Sequence, residues 1–75
     1  MQKYQNLNGQ SGVVAIDIGD NHIIVEFEDG AAYLYNYTSA GALHVETMKV
    51  LGTQGRGLNT YINKHVRKKY ASKLK

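Results

Sequence analysis

The chain has 75 residues, no cysteine and no proline, and a net charge of +3. A chain this short buries only about 60–65% of its unfolded surface, which fits one domain and leaves no room for both a large core and a deep substrate pocket. Without cysteine, disulfides, thiolate zinc sites and thiol nucleophiles are excluded.

The charge is segregated along the chain. All six acidic residues lie at or before Glu46, and eight of the nine Lys and Arg residues lie after it. Such a chain presents a basic face to partners, although lysines near a helix C-terminus are also favoured by the helix dipole alone. No apolar run has the length of a membrane-spanning helix, and the first residues lack the apolar segment of a signal peptide. A soluble, cytoplasmic protein is the expectation. Six tyrosines and Phe27 are expected to supply much of the core, each burying about 150–250 Å² when packed.

Residues 1–12 are polar, contain Asn-Gly and Ser-Gly, and read as a flexible N-terminal arm. Residues 13–18 alternate as a strand, with Val14, Ile16 and Ile18 on one face. Gly19, Asp20 and Asn21 form a turn, and with Asp17 they lack the remaining ligands of a calcium loop. Residues 22–28 form the second strand, with Ile23, Val25 and Phe27 on one face and Glu26 and Glu28 on the other. Asp29-Gly30 is a hairpin signal. The third strand, 31–37, carries Tyr33, Tyr35 and Tyr37 on one face, which is either core or a stacking platform for bases.

Thr38 or Ser39 then offers an N-cap for a helix over 40–51, weakened at Gly41 and stopped by Gly52. The loop 52–57 follows. A second helix opens at Leu58 or Asn59 and ends near Tyr70, with Leu58, Ile62 and Val66 on one side and Lys64, Arg67 and Lys68 on the other. Residues 71–75 read as a frayed basic tail. The expected fold is a single α+β domain over 13–70, a three-stranded antiparallel meander followed by two helices (βββαα) packed on one sheet face.

The junction between the helices carries the sharpest functional signal. A helix start leaves backbone N–H groups unpaired at the positive end of its dipole. Gly52, Gly55 and Gly57 permit close approach of a phosphate, Arg56 reaches it, and Asn59 belongs to the same turn. Lys64, Arg67, Lys68 and Lys69 then track further phosphates, and an exposed Tyr61 or Tyr37 stacks a base. The competing account is a helix–helix corner whose glycines supply positive φ, with Asn59 as an N-cap.

Residues 24–37 and 53–62 together resemble the KTSC domain, a small family found at the C-terminus of certain lysyl-tRNA synthetases and as stand-alone bacterial proteins. The resemblance rests on Phe27 and Gly30 at the end of one strand, Tyr33 and Tyr35 in the next, and Gly55, Asn59 and Ile62 around the last helix. It covers residues 11–70 approximately. Thr53 stands where serine is usual, the proline at the start of the family's first helix is missing, and the stretch between Tyr35 and Gly55 is longer. The resemblance implies a small α+β fold and, through the synthetase connection, RNA binding; the family has no established activity. Separately, Gly52-Thr53-Gln54-Gly55 between two helices is similar to the Gly-x-x-Gly element with which KH domains grip a nucleic-acid backbone, in a different order of elements.

No enzyme is expected. His22, His44 and His65 fall on three different elements, no metal-ligand spacing or nucleophile–base pair is evident, and no cofactor is implied. The expected function is largely sequence-nonspecific binding of RNA or single-stranded nucleic acid by a monomer. The alternative is a protein-docking module acting through an edge strand, 13–18 or 31–37, or through the tyrosine face.

Overall fold

The computed structural model describes residues 2–7 and 12–75. An antiparallel sheet of five strands runs in chain order: β1 (Gln2–Lys3), β2 (Val13–Ile18), β3 (His22–Phe27), β4 (Ala32–Asn36) and β5 (Ser72–Lys73). Between β4 and β5 come α1 (Tyr37–Ala40), α2 (Ala42–Gln54), α3 (Leu58–Tyr61) and a π-helical turn over Ile62–Val66 that continues α3. The α+β class and the central meander agree with the sequence reading. The sheet differs by gaining a short strand at each edge, and the helical part differs by its breaks.

Both edge strands come from segments read as loose. Gln2 and Lys3 pair with Ile16 and Ala15, and the next residue, Tyr4, is 2% exposed in the core. The flexible arm expected over 1–12 is therefore tied down at its start, while its 8–11 part lies outside the described residues. At the other end, Ser72 and Lys73 pair with Leu34 and Tyr33 instead of fraying. The helix expected to reach Tyr70 ends at Val66, which frees the chain to turn back to the sheet.

The alternation expected in β2 fails for a local reason. Val13 faces Phe27 but Ala15 faces Glu26, so Val14 is the extra residue of a β-bulge. The bulge resets the phase: Val13 and Ile16, three apart, are both buried, while Val14 and Ile18 are exposed. The second strand behaves as read, with Ile23 and Val25 fully buried. The tyrosine face divides. Tyr35 is in the core, Tyr33 is packed against its edge, and Tyr37 has left the strand for the first turn of α1.

Asn36, not Thr38 or Ser39, caps α1. Its side chain accepts from the Ser39 N–H at 2.8 Å while the Ser39 hydroxyl accepts from the Asn36 N–H at 3.1 Å, a reciprocal capping box. Gly41, at φ 93°, then breaks the helix expected over 40–51 into α1 and α2. Gly52 is not a stop. It lies inside α2, buried against the sheet, and a Cβ there would sit 2.7 Å from Ile16 Cδ1. The helix ends three residues later at Gly55, in the left-handed conformation, whose N–H donates to the Leu51 carbonyl. The loop thus shrinks to residues 55–57.

The core is closed from the helical side by Val45, Met48, Leu58, Ile62 and Val66. Leu58, Ile62 and Val66 are four apart, a spacing that drifts by roughly 40° per step around a regular α-helix. The wide turn over Ile62–Val66 rotates less per residue and keeps all three on the sheet. Each such burial contributes about 1.5–3 kcal/mol.

Two glycines with similar φ separate conformational strain from close packing. Gly30 (φ 92°) has open space where a Cβ would go, whereas a Cβ at Gly55 (φ 81°) would lie 2.7 Å from Gln5 Cβ. Gly30→Ala is expected to lose about 1 kcal/mol from the left-handed backbone alone, and Gly55→Ala about 2–3 kcal/mol. Thermal melts of the two variants check this: equal shifts in Tm would show that the N-terminal segment does not press on the turn.

Candidate functional site

The glycine turn is roofed by the N-terminal segment. Gly55 is buried, and its carbonyl accepts from the Leu7 N–H at 2.7 Å. The Leu58 N–H, at the head of α3, donates to the Tyr4 hydroxyl at 3.3 Å. The Tyr61 N–H donates to the Gly57 carbonyl, which places Gly57, not Asn59, at the cap position. Of the donors expected to cradle a phosphate, those of Gly55 and Leu58 are therefore bonded within the protein. Arg56 is exposed beside them, and Asn59 is half-buried within α3.

Lys64, Arg67, Lys68 and Lys69 are all exposed at the other end of this helical stretch. Nine helical residues, 58–66, correspond to ~13 Å of rise, so the turn and the Arg67–Lys68 pair are separate places rather than one surface point. Arg67 and Lys68 instead line an open groove of about 470 Å³, together with Phe27, Tyr33 and Tyr70. The rings form a connected set: Phe27 meets Tyr33 edge-on at 5.9 Å, Tyr33 lies 4.7 Å from Tyr70, and Tyr70 meets Tyr35 edge-on at 6.3 Å. Such tilted and edge contacts suit the ring quadrupoles. Lys73 Nζ lies 5.9 Å from the centre of Tyr33, within cation–π range.

Four residues singled out by the resemblance, Phe27, Tyr33, Tyr35 and Ile62, line this same groove, while Gly30, Gly55 and Asn59 do not. Tyr70, exposed at 38%, is the outermost ring of the set and was missed as a site residue. Its signal was present in the run Arg67-Lys68-Lys69-Tyr70, an aromatic interleaved with cations.

The two tyrosines named for stacking are otherwise engaged. Tyr61 is half-buried, shares a 2.6 Å hydrogen bond with His44 Nδ1, and lies 4.5 Å from the ring of His65. Tyr37 donates to Glu46, which also pairs with Lys49 at 2.7 Å. These bonds push the Tyr37 phenol up, through Glu46 first, and hold the Glu46 carboxyl down, through Lys49 first. Among the described residues no group of three or more His, Cys, Asp or Glu is placed to hold a metal ion, and no helix is long and apolar enough to cross a membrane.

Comparison of the chain with protein-family models, with curated proteins and with solved structures yields no match.

Burial raises the Tyr35 phenol from 10.0 to about 12, with the neighbouring Tyr33 and Tyr70 phenols adding to the shift. Between those two values the unfolded chain gives up a proton that the folded chain keeps. The stabilisation is complete below pH 10 and disappears as pH rises through about 12. In alkaline unfolding followed by far-UV circular dichroism, Tyr35→Phe is expected to lose stability less steeply than the wild type over that interval. Parallel curves would mean that the phenol ionises freely in the folded state.

Proposed function

We propose that the protein binds single-stranded nucleic acid, RNA foremost, at the aromatic-floored groove and along the basic segment that borders it. The observation that carries this reading is the juxtaposition of the Tyr33–Tyr70 ring pair with Arg67 and Lys68 in one open groove. Bases stack on exposed aromatic faces whatever their identity, contributing about 1–3 kcal/mol each, while cations alongside release counterions from the backbone. Tyr70 is the stacking face. Arg67 and Lys68 hold phosphates beside it, and Lys64 and Lys69 extend the track. The stretch from Thr47 onward, which supplies these cations, carries no acid, and the likeness to the KTSC family points the same way.

The glycine turn has a lesser part in this reading, because the Gly55 N–H is spent on the Leu51 carbonyl and the Leu58 N–H on the Tyr4 hydroxyl. Edge-strand docking has less to act on than the sequence offered. Residues 13–18 and 32–36 each have a strand on both sides, and the outer strands are two residues long and carry Lys3 and Lys73.

Fluorescence anisotropy with a labelled single-stranded RNA heptamer, across a salt series, tests this. With four phosphate-binding cations the slope of log K against log salt is expected near −3, from about −0.7 per contact. Arg67→Glu with Lys68→Glu should weaken binding by more than about tenfold and flatten the slope. Tyr70→Ala should weaken binding at all salt concentrations by roughly fivefold or more, and Arg56→Ala by about twofold or less. Absence of binding at low salt overturns the proposal; a loss at Arg56 as large as at Arg67 moves the site to the turn.

A further inference from the structure

The lining of the groove includes groups that a purely phosphate-tracking surface would not need. Glu28 and Asp29, at the tip of the β3–β4 hairpin, line it as Arg67 and Lys68 do. Among the described residues, the ion pairs join Glu46 to Lys49 and Glu26 to Lys75, so the four charges at the groove are not paired with one another. Two carboxylates and two cations share one opening of about 470 Å³ and leave each other unneutralised. For a nonspecific binder the acids are a liability, since they repel phosphate. They become useful for a ligand that carries hydrogen-bond donors at one end and negative charge at the other, with a flat ring between them.

We infer that the groove is a guanylate-selective subsite, in which the base lies against the Tyr33–Tyr70 rings, its Watson–Crick edge meets Glu28 or Asp29, and its phosphate meets Arg67 and Lys68. This inference rests on the nucleic-acid reading and specifies the base. Guanine is the nucleobase that offers two adjacent donors, N1–H and the N2 amino group, in the parallel arrangement a carboxylate accepts with both oxygens. Adenine and cytosine each place an acceptor beside their amino group, so one oxygen of the carboxylate would face a lone pair. Uracil offers a single donor between two acceptors. The ring surface is indifferent to the base, so discrimination falls on the acids. The Asp29 side chain is partly oriented already: its Oδ1 accepts from the Ala31 N–H at 2.9 Å, which fixes the hairpin tip, while the second lone pair of Oδ1 and both of Oδ2 remain to accept from a base. Glu28 sits one residue earlier on the same tip, exposed, and its main chain is held by the Glu28 N–H bond to the Gly12 carbonyl at 2.7 Å.

The test uses four labelled RNA heptamers, a uridine chain with G, A, C or U at the centre, measured by anisotropy at one fixed salt concentration. The heptamer with G is expected to bind about tenfold tighter than the other three, the discrimination of one good two-point contact. In the protein carrying Glu28→Gln and Asp29→Asn the ratio of G to U affinities should fall towards one, because an amide presents a donor where the carboxylate presented an acceptor. The ratio is the readout, so a general gain in affinity from removing two negative charges does not disguise the result. Amide spectra of the variant, superimposable on those of the wild type away from the hairpin, show that it is folded. Equal, salt-sensitive binding of all four heptamers overturns the guanine assignment and leaves the nucleic-acid reading standing. No binding of any heptamer overturns both. A G preference that persists in the double variant overturns the role given to the acids.

Discussion

The close approach of α2 to the sheet at Gly52 sets the height of everything above it. A methyl group there would press into Ile16 Cδ1, with Ile23 and Leu58 just beyond. Because that space is empty, the helix settles onto β2 and β3 and delivers Val45 and Met48 into the core. It also brings the Gly55 turn down to where the chain's first residues can cross it. Tyr4 then reaches beneath α3, filling core volume with its ring and satisfying the Leu58 N–H with its hydroxyl. A buried ring with a bonded hydroxyl is the arrangement that lets tyrosine serve as core without leaving a polar group stranded. No buried side-chain nitrogen or oxygen among the described residues lacks a partner.

The parts of the fold that were legible in the sequence are those set by local periodicity. Ile23 and Val25 alternate cleanly, Asp29-Gly30 marks its turn, and Leu58, Ile62 and Val66 recur at four-residue steps; each appears in the structure as read. The parts that were not legible depend on partners distant in sequence. Gln2–Lys3 and Ser72–Lys73 have no strand pattern of their own and become strands only by pairing with β2 and β4. The bulge at Val14 shifts the phase of a strand by one residue, a change that no reading of alternation within residues 13–18 contains. Gly52 looked like a helix terminator because glycine commonly is one; what decided otherwise was Ile16 opposite it.

The candidate site follows the same rule. The basic residues of the last third were visible as charges, and Phe27, Tyr33 and Tyr35 as a motif, but nothing in their spacing joined the two sets. They meet because the chain leaves the helix at Val66, passes Tyr70 across the rings of β4, and then pairs with that strand as β5. A helix continuing to Tyr70, as the periodicity proposed, would have carried Arg67 and Lys68 away from the sheet. The wide turn over Ile62–Val66 is thus both a packing device and the reason the cations border the aromatic floor. It also brings His65 onto Tyr61, and with His44 it forms a ring cluster that joins α2 to the last helical turn.

The bond between Tyr4 and Leu58 spans 54 positions, and it has a consequence for how the chain comes into being. During synthesis the first strand and Tyr4 emerge long before their helical partner exists, so the meander must wait with its apolar face uncovered. Contacts of such sequence separation are slow to form because the loop they close is long. A nascent chain in that interval exposes Ile16, Ile23 and Val25 together, the composition that holdase chaperones and misassembly both exploit. The lysines at the sheet edges are in place early on one side only, since Lys3 precedes the meander and Lys73 follows it. Until β5 arrives, β4 is an open edge.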